Sequence, residues 1–530
     1  GIFIFGAAPH ELPGVDVLRI SDERDLAGQV TAYVRSTLAF NKSGLLVENK
    51  AALPRAVDVV IVGGGITALY AAHRMSDRRI SFCIAEKDEI VGGIWAKYAN
   101  ATSQVNTSEG AYRLFDHDLR ANKDHSSTAE MLGDIKRLTE EARDGIFTST
   151  KVERIEKNDN GYVTTVSRGS ETSKISSKGV LLAVNDRVGA PREVTWHNQE
   201  RYQGILVDGY SDETAGMDWA GKKVTVIGMG AFAVENARTA LEAGAAHVTV
   251  VCRRHGTVCP KIIDYLNFST PYDENFEHER KSNIRNMMLW KKLYDLSGAE
   301  EPECWMGKIK HTGHTISVSD IWFIAHHLKK METVTGSVGE MYEGGVIVEG
   351  KKIDADIVVT CVGFHRNAST AKALCGYEEM YNVNYIDKDF MYLADAFIDD
   401  NAFNSFFGSS VLEMTRFYMD VFLEYFDTGN FEEMTRIAGI EKMDIEERSW
   451  SHYITGAMAL IHENPRFADA ARVQVDERTA RFLESHDLET YIAENKREWY
   501  DTHTLLAGGP LPEGQCLPYV FERLAEKKLG

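Results

Sequence analysis

Val57-Asp-Val-Val-Ile-Val62 followed by Gly63-Gly-Gly65-Ile-Thr-Ala68 is the stretch that decides the fold. Its first half is a short β-branched run of the kind needed by a strand covered on both faces, as in parallel sheets. Its second half fits G-x-G-x-x-A and opens an alanine-rich segment, Ile66 to Met75, with helical spacing. In such a turn the first glycine bends the chain, the second lets backbone approach a pyrophosphate, and the small third residue packs helix on strand. The helix N-terminus adds N–H donors and the positive end of a dipole. A second strand, Ser81 to Ala85, ends on Glu86, about 20 residues beyond Gly63, where a carboxylate can accept both hydroxyls of an adenosine ribose. Gly63, Gly65, Ala68 and Glu86 therefore read as dinucleotide-binding residues in a right-handed βαβ unit.

The pattern returns at Lys223. Val224 to Ile227 is β-branched, Gly228-Met-Gly230-Ala-Phe-Ala233 repeats the loop, a helix runs through Leu241, and the strand Val248 to Cys252 ends on Arg253-Arg254. A carboxylate there would repel a 2′-phosphate, whereas a guanidinium pairs with it, so the change of sign argues NADPH over NADH. The other reading of these arginines is a solvated strand end. One loop for FAD and one for NADPH is the economical interpretation, with Gly228, Gly230, Ala233, Arg253 and Arg254 holding the second cofactor.

The expected fold is α/β, with two Rossmann-like dinucleotide-binding domains, a β-meander insertion and helical terminal extensions. The meander is read in Val152 to Glu156 and Tyr162 to Ser167, joined by Asn158-Asp-Asn-Gly161, residues that tolerate positive φ. The divisions expected are an N-terminal extension, 1–55, with a helix over Glu23 to Leu38; the FAD domain, 56–215, resumed at 351–425; an NADPH domain with an insertion, 216–350; and a helical C-terminal extension, 426–530. The strand Ile357 to Thr360 is expected to lead back to the first sheet.

Length and charge agree. The 530 residues are several times the roughly 150 that one domain usually spans. With 59 basic against 79 acidic residues the net charge is −20, which disfavours nucleic acid and anionic lipid as partners. No run reaches the roughly 18 apolar residues of a membrane helix, and the opening Gly1 to Gly6 has no basic flank for a secretory signal, so a cytoplasmic location is expected. The seven cysteines, Cys83, Cys252, Cys259, Cys304, Cys361, Cys375 and Cys516, form no C-x-x-C pair. That removes the residues of a zinc ribbon or a redox disulfide. His311, His314, His326 and His327 lack completing ligands, so no metal is expected, and Ser108, Ser409 and Ser410 lack a G-x-S-x-G elbow. Met414, Phe417, Tyr418 and Phe422 read as core packing first.

The text from Glu86 runs Glu86-Lys87-Asp-Glu-Ile-Val-Gly92-Gly93-Ile-Trp95, and then Asn106-Thr-Ser108. This resembles the class B flavin-dependent monooxygenases, that is, the flavin-containing monooxygenases and their Baeyer–Villiger relatives. In them an E-K/R-x(4)-G-G-x-W element follows the FAD-binding acid, and an asparagine lies soon after. Val362-Gly363-Phe364 is similar to the family's turn between domains, and Tyr392-Leu-Ala-Asp395 to its late flavin-contacting segment. Phe407-Gly408 opens a helix that would aim its N-terminus at the flavin. Disulfide reductases share the two loops but carry a cysteine pair here. The resemblance, over about residues 56 to 425, adds Lys87, Gly93, Trp95, Gly363 and Asp395 to the cofactor set.

One element departs. The family's F-x-G-x-x-x-H-x-x-x-W/Y fingerprint stands here as Tyr202-Gln-Gly204-Ile-Leu-Val-Asp208, with Asp208 for histidine and Asp212 for the last aromatic. A carboxylate only accepts hydrogen bonds where imidazole also donates, so an interdomain contact made by histidine must be rebuilt. The resemblance implies NADPH-driven transfer of one atom of O2 to a small soft nucleophile, by N- or S-oxygenation through a C4a-hydroperoxyflavin. Asn106 is the expected catalytic amide, against a plain turn-capping role, and Asp208 an interdomain residue. Baeyer–Villiger oxidation of a ketone, and a non-oxygenating NADPH oxidase or redox sensor, stay open as alternatives. The partners expected are the small substrate and O2, with self-association left open.

Overall fold

In a computed structural model of the chain, the described residues form continuous runs at 51–100, 122–185, 188–210, 212–269, 280–302, 317–365 and 368–380. Shorter pieces lie at 2–5, 17–20, 44–47, 102–106, 385–387, 390–392 and 487–509, with isolated positions between. The helix expected over Glu23 to Leu38, and Asp395, Phe407, Gly408, Ser409, Ser410, Met414, Phe417 and Tyr418, lie outside the described residues, as do His311, His314, Cys304 and Cys516.

The first sheet grows around the Ala56–Val62 strand. Phe82–Ala85 pairs parallel on one side and the second half of Glu171–Leu182 on the other, with Ile146–Phe147 and Phe390–Tyr392 further out. Val59, Val60 and Ile61 are fully buried, at about 1.5–3 kcal/mol of transfer free energy each, which is why a continuous apolar run can only be a central strand here. The Ile66–Asp77 helix crosses between the first two strands. Thr150–Asn158 and Gly161–Arg168 form the expected hairpin and continue into Glu171–Leu182. Gly161 turns it at φ +125°, where a Cβ would sit 2.2 Å from the Ser177 carbonyl oxygen. The five described cysteines are all thiols.

The second sheet is wholly parallel, in the order Met331–Thr335, His247–Cys252, Lys223–Ile227, Ile357–Thr360, Ile205–Asp208. This corrects one expectation: Ile357–Thr360 pairs with Val224 to Ile227 and belongs to the second sheet, and the return to the first is made by Phe390–Tyr392 against Val180 to Leu182. Helices cover one face of this sheet, including Ala231–Glu242, Lys261–Phe268, Arg280–Ser297 and Asp320–His327, around a core with Trp290, Phe323 and Trp322. The other face carries an antiparallel meander, Val338–Tyr342, Gly345–Val348 and Lys351–Asp354, whose Met341, Val346 and Ile353 pack on Ile227, Val251 and Val358.

Both terminal extensions brace the sheets where they are described. Leu45 and Val47 are buried, Thr148 Oγ1 donates to the Val47 carbonyl at 2.9 Å, and Asn49 Nδ2 donates to the Ile146 carbonyl at 3.0 Å. The Leu488–Ala507 helix sends Tyr491 and Trp499 into the second core, and the Trp499 indole N–H donates to the buried Asp320 carboxylate.

Candidate functional site

The two glycine loops are built alike, one at each sheet's change of strand order, where open α/β sheets bind ligands. At the first, Gly63 N–H donates to the Ala85 carbonyl at 2.9 Å and Ala183 N–H to Val62 at 2.9 Å. At the second, Gly228 N–H donates to Val251 at 2.8 Å and Cys361 N–H to Ile227 at 2.8 Å. Each first glycine has positive φ, +98° and +128°, and faces the carbonyl that follows the neighbouring strand. A Cβ on Gly63 would meet Ala183 O at 2.8 Å, and one on Gly228 would meet Cys361 O at 2.1 Å. Close approach of two strands across the crevice therefore requires glycine at both places.

The first loop fits a dinucleotide. Gly65 begins the Ile66–Asp77 helix with no side-chain cap, so nothing covers the N–H donors of the first turn from that residue. Glu86, 8% exposed, accepts Gly64 N–H at 2.5 Å and Asp88 N–H at 2.8 Å. Burial pushes its carboxyl above the usual range, against the pull of those two amides. The Gly92-Gly93 element docks on the loop: Gly92 N–H donates to Gly64 O at 2.8 Å, and a Cβ on Gly93 would meet the Gly65 Cα at 3.1 Å. Trp95 is buried just behind, Ala68 is fully buried under the helix, and Lys87 is exposed. The second loop fits equally. Gly230 starts the Ala231–Glu242 helix uncapped, a Cβ there would meet nothing within 4 Å among the described residues, and Ala233 is fully buried. Arg253 and Arg254 are exposed where the His247–Cys252 strand ends.

The remaining candidates lie on the seam between the two sheets. Asn106 Oδ1 accepts the Val318 N–H at 2.7 Å, so the first unit's loop is tied to the short Ser317–Val318 strand. Asp208 closes the Ile205–Asp208 strand, exposed, and accepts the Thr360 hydroxyl of the adjacent strand. Gly363, at φ +92°, donates its N–H to the Tyr210 hydroxyl oxygen at 2.5 Å.

Sequence reasoning missed several seam residues. Asp264, from the second unit, accepts Ser108 N–H at 2.7 Å and Ser108 Oγ–H at 2.9 Å, and burial raises its carboxyl. The buried His125, at φ +57°, bonds the Val105 carbonyl through Nδ1 and has Asp124 and Asp264 oxygens at 3.7 and 3.9 Å. Thr102 meets Thr239, and Asn100 Nδ2 donates to Thr214 Oγ1 at 3.3 Å. Single polar residues between elements carry no periodicity, so only distance in space reveals them. His326 is half-buried and bonded within the fold: its Nδ1 bonds the Trp322 carbonyl at 2.8 Å, and desolvation lowers its pKa to about 4. Among the described residues no cluster of His, Cys, Asp and Glu is arranged to hold a metal ion, and no helix is long and apolar enough to cross a membrane.

Comparison with known proteins agrees with this geometry. The pyridine nucleotide-disulphide oxidoreductase family matches residues 60–280, both loops included. The FAD-binding monooxygenase VdtE of Byssochlamys spectabilis is 23% identical over 230 residues, 42% of this chain and 40% of that protein. The FAD-containing monooxygenase EthA of Mycolicibacterium smegmatis is 24% identical over 355 residues, 58% of this chain and 69% of its own length. The match thus spans well under two thirds of VdtE. In fold the chain is similar to a steroid monooxygenase bound to NADP, with a TM-score of 0.56 at 15% identity, over 78% of this chain and 98% of the other.

Proposed function

We propose, for a chain that belongs to the class B flavin-dependent monooxygenases, that it oxygenates a small soft nucleophile, an amine nitrogen or a sulfide sulfur. Its cofactors are FAD and NADPH. The balance is substrate, O2, NADPH and a proton giving oxygenated substrate, NADP+ and water. Bound FAD supplies the redox chemistry, taking hydride and delivering its electrons to O2.

The observation that carries this reading is the opposite chemistry of two loops built on one plan. The buried Glu86 at the first suits the ribose hydroxyls of FAD, while exposed Arg253 and Arg254 at the second suit a 2′-phosphate. The Gly64 and Asp88 amides hold the Glu86 carboxylate in place, leaving lone pairs for the ribose. The uncapped turns after Gly65 and Gly230 would each take a pyrophosphate. Asn106 would offer a side-chain amide that donates without titrating, with its oxygen already fixed by Val318. Lys87, Gly93, Trp95, Gly363 and Asp395 would complete the cofactor contacts.

A second reading, Baeyer–Villiger oxidation of a ketone, draws support from the likeness in fold to a cyclohexanone monooxygenase with epsilon-caprolactone bound, at a TM-score of 0.54 and 15% identity over 79% of this chain and 99% of the other. The test is to supply the purified protein with NADPH, isotopically labelled O2, and amines, sulfides and ketones in turn. Label in an N-oxide or sulfoxide is the expected result. Label in an ester or lactone favours the second reading, and NADPH consumption that yields hydrogen peroxide alone would sink both.

A further inference from the structure

The two crossings between the sheets run side by side. One lies between Leu182 and Ile205, the other between Thr360 and Phe390, and they pair antiparallel at a Pro191–Phe364 bridge. Gly189 N–H donates to His365 O at 3.0 Å, His365 N–H to Ala190 O at 2.9 Å and Arg192 N–H to Gly363 O at 2.9 Å. Arg192 Nε adds a bond to Phe364 O at 3.0 Å. A joint of two paired linkers can pivot only as a unit, so whatever grips it sets how one sheet sits on the other.

Four rings grip it. Phe364, on the second linker, has Tyr98 of the first unit at 5.1 Å between centroids, and Tyr210 and Phe232 of the second unit at 4.5 and 5.4 Å. Tyr210 meets Phe232 edge-on at 5.2 Å. Tyr210 is 5% exposed, and its hydroxyl accepts the Gly363 N–H of the linker. The residues before it are clamped. Gly209 N–H donates to Thr360 O at 2.9 Å, Asn236 Nδ2 donates to Gly209 O at 2.9 Å, and a Cβ on Gly209 would meet the Cys361 sulfur at 2.4 Å. Phe232 stands in the first turn after Gly230, so a nucleotide on that loop shares a helical turn with the joint.

We propose that Tyr210 is the positioning residue of this joint, holding the second linker through Gly363 and Phe364 so that the NADPH unit keeps its seat on the FAD unit. Asp208, which occupies the fingerprint histidine's register, is spent on Thr360 inside its own sheet, and the contact with the linker is made two residues later. The proposal rests on the assigned cofactors. Hydride transfer requires the two reacting rings within about 3–3.5 Å, so a loosened joint lowers the rate even when NADPH still binds.

The test is hydrogen exchange on the full chain, with and without NADP+, joined to rapid-mixing measurement of flavin reduction. In the unaltered protein NADP+ is expected to slow exchange at residues 228–234 and also at 361–366. Protection of the loop with no change at the linker would overturn the inference and leave the dinucleotide reading standing. Protection of neither would overturn the dinucleotide reading and the inference with it. Tyr210→Phe is expected to speed ligand-free exchange at 361–366 by about tenfold and to cut flavin reduction at saturating NADPH by about tenfold. FAD content and the KM for NADPH should stay within about twofold. Phe364→Leu, which leaves the hydroxyl contact in place, should slow reduction in the same way. Unchanged reduction in both variants would refute the positioning role.

Discussion

Gly228 and Gly230 share one loop, yet their substitution by alanine should fail for opposite reasons. At Gly228 the φ of +128° is outside the range of an L-residue, and the new methyl would lie 2.1 Å from the Cys361 carbonyl oxygen. Relief requires moving backbone on one of two buried, paired strands by about an ångström. Left-handed backbone costs on the order of 1–2 kcal/mol and the clash at least as much again, so Gly228→Ala should destabilise by about 3 kcal/mol or more. For a unit of this size that is a fall in melting temperature of roughly 6–12 °C. Gly230 sits at φ −93° and ψ −176°, which alanine adopts freely, and its Cβ would meet nothing within 4 Å among the described residues. Gly230→Ala should therefore melt like the unaltered protein while its methyl occupies the space a pyrophosphate needs, raising the Kd for NADP+ by about tenfold or more. Thermal melts read the first effect and an NADP+ titration, with FAD content as control, reads the second. A Gly228→Ala protein melting within 2 °C of the parent, or a Gly230→Ala protein binding NADP+ normally, would refute the reasoning.

Replacing Arg253 and Arg254 together by alanine should raise the KM for NADPH by about ten- to a hundredfold and leave that for NADH within about threefold, as steady-state kinetics with each nucleotide would show. Asn106→Asp keeps an acceptor for Val318 N–H and removes the amide donor, so FAD content should hold while hydrogen peroxide rises against product; Asn106→Ala should lose both features and also lower the melting temperature. Asp58, bonded by Lys178 and Ser81, has its pKa lowered to about 2 from 3.8. A depressed carboxyl stabilises the fold above its unfolded pKa and loses that contribution as pH falls through the folded value. Asp58→Asn should therefore flatten the stability curve between about pH 4 and 2 by about 1 kcal/mol, the full shift being discounted for the exposed lysine. Denaturant melts across that range check it.

The parts of the fold that were legible are those where one residue type answers one physical demand. Val59, Val60 and Ile61 must be central because nothing polar relieves them on either face, and Gly63 and Gly228 must be glycine because a strand carbonyl stands where Cβ would go. Ile357–Thr360 was legible as a strand but not as a member of the second sheet. Four buried residues look the same beside Val226 as beside Val180, and pairing partners are chosen by tertiary packing. The Val338–Asp354 meander was illegible because its strands are only four or five residues long, with Gly339 inside the first and Gly344 and Gly350 in the turns, leaving too few alternations to count. Of the site, the loops and Glu86 stand out by spacing, whereas Asp264, Ser108 and Tyr210 act through contacts with residues remote in the chain.

The two loops also separate what a glycine motif says about folding from what it says about binding. Gly63 and Gly228 are demanded by the protein's own backbone, so their presence would be required even in a chain that had lost its nucleotide. Gly230 is demanded by nothing among the described residues, since alanine fits its dihedrals and the described surroundings. The same contrast holds across the crevice, where among the described residues Gly65 has only the Gly93 Cα near its missing Cβ, at 3.8 Å. Open space beside an uncapped helix end has no structural use in a packed α/β unit, because filling it with a methyl would reduce backbone entropy in the unfolded chain at no steric cost. The second glycine of each loop is therefore the position at which the chain's chemistry, rather than its fold, points to a ligand. It does so twice, beside a buried carboxylate in one unit and beside exposed guanidinium groups in the other.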